Sequence, residues 1–263
     1  IHIIYNILYI IYYMDGGKLI GTGTVSCVFS PSFRCSKKDK SDPSKKRISK
    51  IIYHSKSKQV SEREYKINQK IRGLPSYEKW ALTYDNYCKS PSSEEILMAD
   101  KKGYEDCFHE KKIIMTQDFP RVFDENGYML TGDKGSMNFT DYFMDTFYKK
   151  KNDTSFVILM DKLETIFIAL REMGKYKIVH NDIKAENIVL HNGTFKLIDF
   201  GISAPITQLK HFKDRSLYEF NSKRIYMIYP LEYIYSNVTP RDKLKDDVYN
   251  RIDIDQYISI HSL

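Results

Sequence analysis

Two apolar runs joined by an Asn-Gly turn, with polar side chains at both open ends, constrain this chain more than any other feature. The runs are Ile188-Val-Leu190 and Phe195-Lys-Leu-Ile198, and His191-Asn192-Gly193 lies between them. That pattern reads as a β-hairpin. It brings Asn187, just before the first run, close enough to Asp199, just after the second, to share a metal ion. Upstream of the hairpin stand His180, Asp182 and Lys184. A polar loop and an ordinary hairpin could carry these letters by chance. The joint occurrence of H-x-D-x-K-x-x-N and I-D-F-G at hairpin spacing argues against that, since the motif comes with its structural context.

His180-Asn-Asp-Ile-Lys-Ala-Glu-Asn187 followed by Asp199-Phe-Gly201 resembles the catalytic loop and metal-binding loop of the eukaryotic-type protein kinase family. The resemblance implies ATP and Mg²⁺ as cofactors and a role for each residue. Asp182 would orient the attacking hydroxyl, and Lys184 would set a positive charge beside the moving phosphoryl group. Asn187 and Asp199 would hold Mg²⁺ on the ATP phosphates. It implies a two-lobed α+β kinase-like fold, with a small antiparallel-sheet N-lobe, a helical C-lobe and ATP between them.

The same resemblance orders the rest of the chain. Leu19-Ile-Gly-Thr-Gly-Thr-Val-Ser-Cys-Val-Phe29 fits a phosphate-cradling turn at Gly21, Thr22 and Gly23, where glycine lets backbone N–H groups approach phosphate oxygens. Val28 would pack on adenine, and Ser26 stands in place of the third glycine. Arg47-Ile-Ser-Lys50-Ile-Ile-Tyr53 offers Lys50 for the α- and β-phosphates, with Lys45 or Lys46 as competitors. Ile48 falls where the family has a small residue, which implies a tight nucleotide pocket. The charged stretch Lys37–Lys46 before this run reads as an exposed insertion. Ser61 to Ile71 reads as a helix with Ile67 and Ile71 on its apolar side. Glu64 there is either the partner of Lys50 or a capping-box residue for Ser61, with Glu62 as the alternative partner. Lys111–Phe119 would lead into the hinge, with Met115 as gatekeeper and Gln117, within Thr116–Asp118, on the adenine edge.

Further on, Met137–Met144 reads as a short helix and Phe156–Met173 as a long one. Phe156, Leu159, Leu163, Ile166, Phe167 and Leu170 repeat at helical spacing, so its aromatics and methionines read as core, and Gly174 reads as its stop. Segments 89–93 and 100–103 read as loops. Tyr229-Pro-Leu-Glu232 resembles the end of the family's activation segment, and Asp247 the start of its next buried helix, with Asp253 and Asp255 as competitors. Asn181 replaces the arginine that usually precedes the catalytic aspartate, which implies activity not gated by a phosphate on that segment.

The domain reading is an apolar extension over 1–13, upstream of Met14 as the natural start; an N-lobe and hinge over 14–118; and an incomplete C-lobe over 119–263. The 1–13 run is too short to span a bilayer. A net charge of +7 sits largely in the 37–50 loop, which fits a solvated surface better than a nucleic-acid site. Cys27, Cys35, Cys88 and Cys107 show no C-x-x-C spacing, which suggests a reducing, cytoplasmic setting and no structural zinc.

Lys184 points to serine or threonine on a protein substrate. The lysine strand, the P-L-E form and the abundance of isoleucine, lysine, asparagine and tyrosine look similar to the divergent Ser/Thr kinases of large cytoplasmic DNA viruses. Two other readings stand beside this one. A pseudokinase would bind nucleotide without transfer; a small-molecule phosphotransferase of the aminoglycoside or choline kinase type would share H-x-D-x-x-x-x-N. Neither a nucleic-acid nor a membrane partner is expected.

Overall fold

The computed structural model describes residues 17–23, 26–35, 46–53, 57–108, 119–149 and 153–208. Among these, a larger unit takes 17–176 and 182–203, and a smaller one takes 177–181 and 204–208. The larger unit begins with five strands: β1 (Lys18–Thr22), β2 (Ser26–Ser30), β3 (Arg47–Ile52), β4 (Tyr84–Lys89) and β5 (Tyr128–Asp133). They pair antiparallel in the order β1-β2-β3-β5-β4. Alternation along each strand then assigns side chains to faces. Val28 and Leu130 lie opposite Lys50 on the neighbouring strands and share its face; Cys27 and Met129 lie opposite Ile51 and share the other.

Helix α1 (Ser57–Arg72) packs on the Lys50 face, burying Glu64, Ile67, Asn68 and Ile71. The opposite face is covered by the segment between β4 and β5, which contains α2 (Ser93–Ala99), α3 (Lys101–Phe108) and α4 (Phe119–Asn126). Ile96, Tyr104, Cys107, Phe108 and Phe123 from this segment form one core with Cys27, Phe29, Ile51 and Met129. Of the stretches expected as loops, 90–92 and Asp100 carry neither helix nor strand, while Ser93 and Lys101–Gly103 begin helices. Ser92 and Glu95 form a reciprocal capping box at the start of α2. Asp100 then accepts the Gly103 N–H at 2.9 Å through one oxygen and the Leu19 N–H at 2.9 Å through the other, which pins α3 to β1. A Cβ at Gly103 would stand 2.2 Å from that second Asp100 oxygen, so the close approach needs glycine.

The division at 118/119 would end the small lobe before β5, yet β5 is an interior strand of the same sheet. The expected hinge strand is Lys111–Phe119. Residues 109–118 lie outside the described residues, and the strand paired with β3 is Tyr128–Asp133.

After β5 come β6 (Met137–Asn138) and α5 (Phe139–Tyr142), which is capped by the Asn138 side chain and continues into a wider helical turn over Phe143–Tyr148. Helix α6 (Asp153–Lys175) runs through Gly174 rather than stopping there. It buries Leu159, Ile166, Ala169 and Met173, a stripe at helical spacing, and packs on the hairpin of β8 (Ile188–His191) and β9 (Thr194–Leu197). Thr165 Oγ1 donates to the Phe195 carbonyl at 2.5 Å there. Phe156, Phe167 and Leu170, expected in the stripe, are exposed, because the face laid on β9 is narrower than the run of apolar letters. At the hairpin tip Asn192 and Gly193 both have positive φ, 51° and 85°, as a tight two-residue turn requires.

In the smaller unit, β7 (Ile178–Val179) pairs antiparallel with β10 (Ala204–Pro205), and the Ile206 N–H donates to the Lys177 carbonyl at 2.8 Å. Residues 1–16 and 209–263 lie outside the described residues, and with them the 1–13 extension, Tyr229–Glu232 and Asp247. No helix among the described residues is long and apolar enough to cross a membrane.

The cysteines depart from expectation. Cys27 on β2 is bonded to Cys107 on α3, and Cys35 to Cys88 on β4, which leaves no free thiol. Sequence spacing could not show this, because the partners are 80 and 53 residues apart and meet only once the cover is laid on the sheet. The pairing removes the basis for reading a reducing compartment from these cysteines. A bridge closing about 80 residues restricts the unfolded chain by roughly 4–5 kcal/mol in the chain-entropy account. Reduction is therefore expected to lower the denaturant midpoint markedly, and Cys27→Ser with Cys107→Ser to reproduce most of the fall. A midpoint indifferent to reductant would refute the pairing.

Candidate active site

Three segments distant in sequence meet at one ammonium. Lys50 Nζ lies 2.8 Å from Glu64 Oε1 of α1 and 2.9 Å from Asp199 Oδ1, just past β9. Lys50 and Glu64 are buried, and the Asp199 side chain is 38% exposed. The sequence reading that pairs Lys50 with Glu64 agrees with this geometry; the capping-box alternative does not. The helix starts one turn earlier, so Ser61 sits inside it and its hydroxyl donates to the Ser57 carbonyl at 2.6 Å. Lys46, the competitor within the described residues, is exposed, and Glu62 is paired with Lys66 at 2.7 Å on the solvent side.

Burial alone would lower the Lys50 ammonium, but attraction from Glu64 and then Asp199 outweighs it and holds the group well above the usual lysine range. Burial pushes the Glu64 carboxyl up; Lys50 opposes this, and the like charge of Asp199 adds to it. The Tyr84 ring centroid is 5.9 Å from Lys50 Nζ, and burial pushes its hydroxyl above the usual tyrosine range. Neither Tyr84 nor its neighbour Asn68 was singled out from sequence. The signal for Asn68 was present: it is a polar letter on the inward stripe, four residues after Glu64.

The second cluster lies in the loop before β8. Asn187 Nδ2 donates to both the Asp182 carbonyl, at 2.9 Å, and Asp182 Oδ2, at 2.8 Å. Lys184 Nζ is 3.4 Å from the same Asp182 oxygen. The Ile198 N–H donates to the Asn187 carbonyl at 3.0 Å, which ties the residue before Asp199 to Asn187. The hairpin thus holds its two polar ends together. Asp199 has φ 59°, a backbone conformation that costs a non-glycine residue of order 1–3 kcal/mol and that marks functional positions when the surroundings enforce it. Here Phe200 is fully buried beside it. A Cβ on Gly201 would reach within 3.2 Å of Asp199 Oδ1 and Glu64 Oε2, so glycine keeps the loop close to α1.

Between β1 and β2, the Gly23 N–H donates to the Ser26 carbonyl at 2.7 Å, and Tyr53 Oη donates to the Gly23 carbonyl at 3.0 Å. Gly21 has open space where a side chain would stand, and Thr22 is exposed. Ser26 is buried and packs against Gly23. Val28 shares the Lys50 face, and Ile48 lies opposite Gly132. Met115 and Gln117 lie outside the described residues.

The donor set suits a hard divalent cation: one carboxylate, partly exposed, and one amide whose nitrogen is committed to Asp182, which leaves its oxygen for a metal. One ammonium with two carboxylates leaves the first cluster net negative, which favours that cation. Residues 95–227, just over half of the chain, match the protein kinase domain family. No curated protein matches the chain.

Because Lys50 is held above its ordinary value of 10.5, its stabilisation is complete below about pH 10.5 and lost as pH rises through the higher folded value. Lys50→Met would leave Glu64 buried without its cation, at a cost of about 3 kcal/mol near pH 8. That cost should shrink towards pH 5, as the Glu64 carboxyl takes up a proton. Denaturant midpoints at the two pH values check this; equal losses at both would exclude the charge account.

Proposed function

The chain belongs to the protein kinase family, with its two-lobed α+β fold, and on that premise we propose that it is a serine/threonine protein kinase using ATP and Mg²⁺. The observation that carries the proposal is the convergence of Lys50, Glu64 and Asp199 on one point, with Asp182, Lys184 and Asn187 tied to the same hairpin. Lys50, oriented by Glu64, holds phosphate oxygens. Asp199 and the Asn187 amide oxygen hold Mg²⁺, which neutralises charge on the phosphates when bound. Asp182 orients the serine or threonine hydroxyl and accepts its proton. Lys184 keeps a positive charge beside Asp182 and the phosphoryl group, and its presence favours serine or threonine over tyrosine.

The phosphates lie along the turn of Gly21, Thr22 and Gly23, which the Gly23 N–H closes by its bond to the Ser26 carbonyl, and Val28 and Ile48 line the adenine side. We place the adenine edge at the end of β5, after Leu130, rather than at Met115 and Gln117. Leu130 lies directly opposite Lys50 in the ladder and is fully buried, the relation that a residue at the back of the nucleotide pocket requires. The intact ion pair speaks against a pseudokinase, and the D-F-G loop against a small-molecule phosphotransferase.

Transfer of labelled γ-phosphate from ATP and Mg²⁺ to a generic basic protein tests the proposal. Asp182→Asn is expected to lower kcat by about 10²–10⁴-fold with nucleotide binding retained. Asp199→Ala is expected to abolish Mg²⁺-dependent transfer. Nucleotide binding without transfer in the parent protein would establish the pseudokinase reading. Transfer to small alcohols or aminoglycosides, with none to protein, would establish the small-molecule reading.

A further inference from the structure

Asn68 is fully buried on α1, one turn after Glu64 and on the same face. Both halves of its amide are used. Nδ2 donates to the Glu64 carbonyl at 2.8 Å, and Oδ1 accepts the Tyr84 N–H at 3.0 Å. The first bond stays within α1; the second crosses to the start of β4. Tyr84 is where the β4–β5 register shifts, between Tyr84 and Asn86, and its N–H is served there by a side chain. The Tyr84 ring in turn passes 5.9 Å from Lys50 Nζ. One amide therefore links the helix that carries Glu64 to the strand that carries Tyr84, two of the neighbours of Lys50.

We propose that Asn68 is a positioning residue that fixes the depth and rotation of α1 against β4, so that Glu64 stays on Lys50. It acts through Glu64 and Tyr84 and does not touch nucleotide. The inference rests on the reading of Lys50 as the phosphate ligand. An apolar side chain of equal size would fill the space, but apolar contact is non-directional and leaves the helix free to roll or slide. Two hydrogen bonds with fixed geometry do not.

Two further bonds tie α1 to the same stretch, Tyr65 Oη to the Asp85 carbonyl and Arg72 Nη1 to Thr83 Oγ1, each at 3.5 Å and so longer than both Asn68 bonds. At the start of α1 Ser57 Oγ donates to the Ile52 carbonyl at 2.6 Å and accepts the Tyr128 N–H at 3.2 Å. Tyr87 Oη donates to the Lys58 carbonyl at 3.4 Å. These hold the first turn, and Asn68 holds the helix three turns on, with Glu64 between them. Without Asn68 the Tyr84 N–H loses its buried acceptor, a state relieved by α1 moving off β4 to admit water.

The test compares Asn68→Leu and Asn68→Ala with the parent, alone and combined with Glu64→Gln. The alanine variant leaves room for water and serves if the leucine variant does not fold. Three readouts are needed: kcat/KM for ATP, the denaturant midpoint, and hydrogen exchange at the Tyr84 amide. Loss of the clamp is expected to lower kcat/KM about tenfold, the equivalent of about 1.4 kcal/mol, and to speed Tyr84 exchange at least tenfold. In the Glu64→Gln background the same substitution should change kcat/KM less than twofold, because the residue it positions is already lost. Fully additive losses, or unchanged exchange at Tyr84, would overturn the proposal. If the parent protein binds no ATP, the reading of Lys50 fails. The clamp is then decided by Tyr84 exchange together with whether Asn68→Leu reduces the stability cost of Glu64→Gln.

Discussion

A single buried ammonium organises the larger unit. Lys50 comes from the middle of β3, Glu64 from α1, and Asp199 from the loop after β9, 149 residues from Lys50 along the chain. Bringing two carboxylates to one cation out of water is costly unless each keeps a partner. That requirement fixes how α1 lies on the sheet and where the Asp199 loop must pass. Asp199 accepts a left-handed backbone to reach it, and Gly201 gives up a side chain so that Glu64 and Asp199 can share the space. The cluster is left with one net negative charge.

The sheet that presents Lys50 is held from both faces. On the Lys50 face, α1 is bonded to strands β3, β4 and β5 through Ser57, Asn68, Tyr65 and Tyr87. On the other face, the segment between β4 and β5 buries Ile96, Tyr104, Phe108 and Phe123, and two disulfides join that cover and the strap after β2 to the strands. Phe33 in that strap donates its N–H to Ser49 Oγ at 2.6 Å, directly over the centre of β3. A sheet supported on both faces is a rigid platform for a residue whose nitrogen must be placed to a fraction of an ångström. The closing hairpin is held in the same way: Leu197 exchanges backbone hydrogen bonds with Trp80 and Leu82, and Lys196 Nζ donates to the Glu78 carbonyl.

Local chemistry was legible where it is short-range. The β8–β9 hairpin followed from two apolar runs and Asn-Gly, and it placed Asn187 beside the residue preceding Asp199. Lys50 was preferred over Lys46 because it sits inside an apolar run, and the sheet buries it for the same reason. The long helix was found from its period, though its buried face was misjudged, because apolar letters do not say which of them the hairpin will cover. The described helices between β4 and β5 show no period in the sequence. They are short, their caps are Ser92 and Asp100 rather than long periodic runs, and their apolar residues are matched only by the sheet they cover.

The sequence by itself determined the local layout of the candidate site. The residue types and spacings of Asp182, Lys184, Asn187 and Asp199 are set by covalent order and by one tight turn, which are local properties. Only the tertiary structure decided which strand stands behind Lys50, whether Glu64 caps a helix or meets a lysine, and which cysteines join. It also decided what Asn68 holds. Each of these depends on contacts between segments tens of residues apart, and no local periodicity encodes a partner that arrives only when the chain has closed.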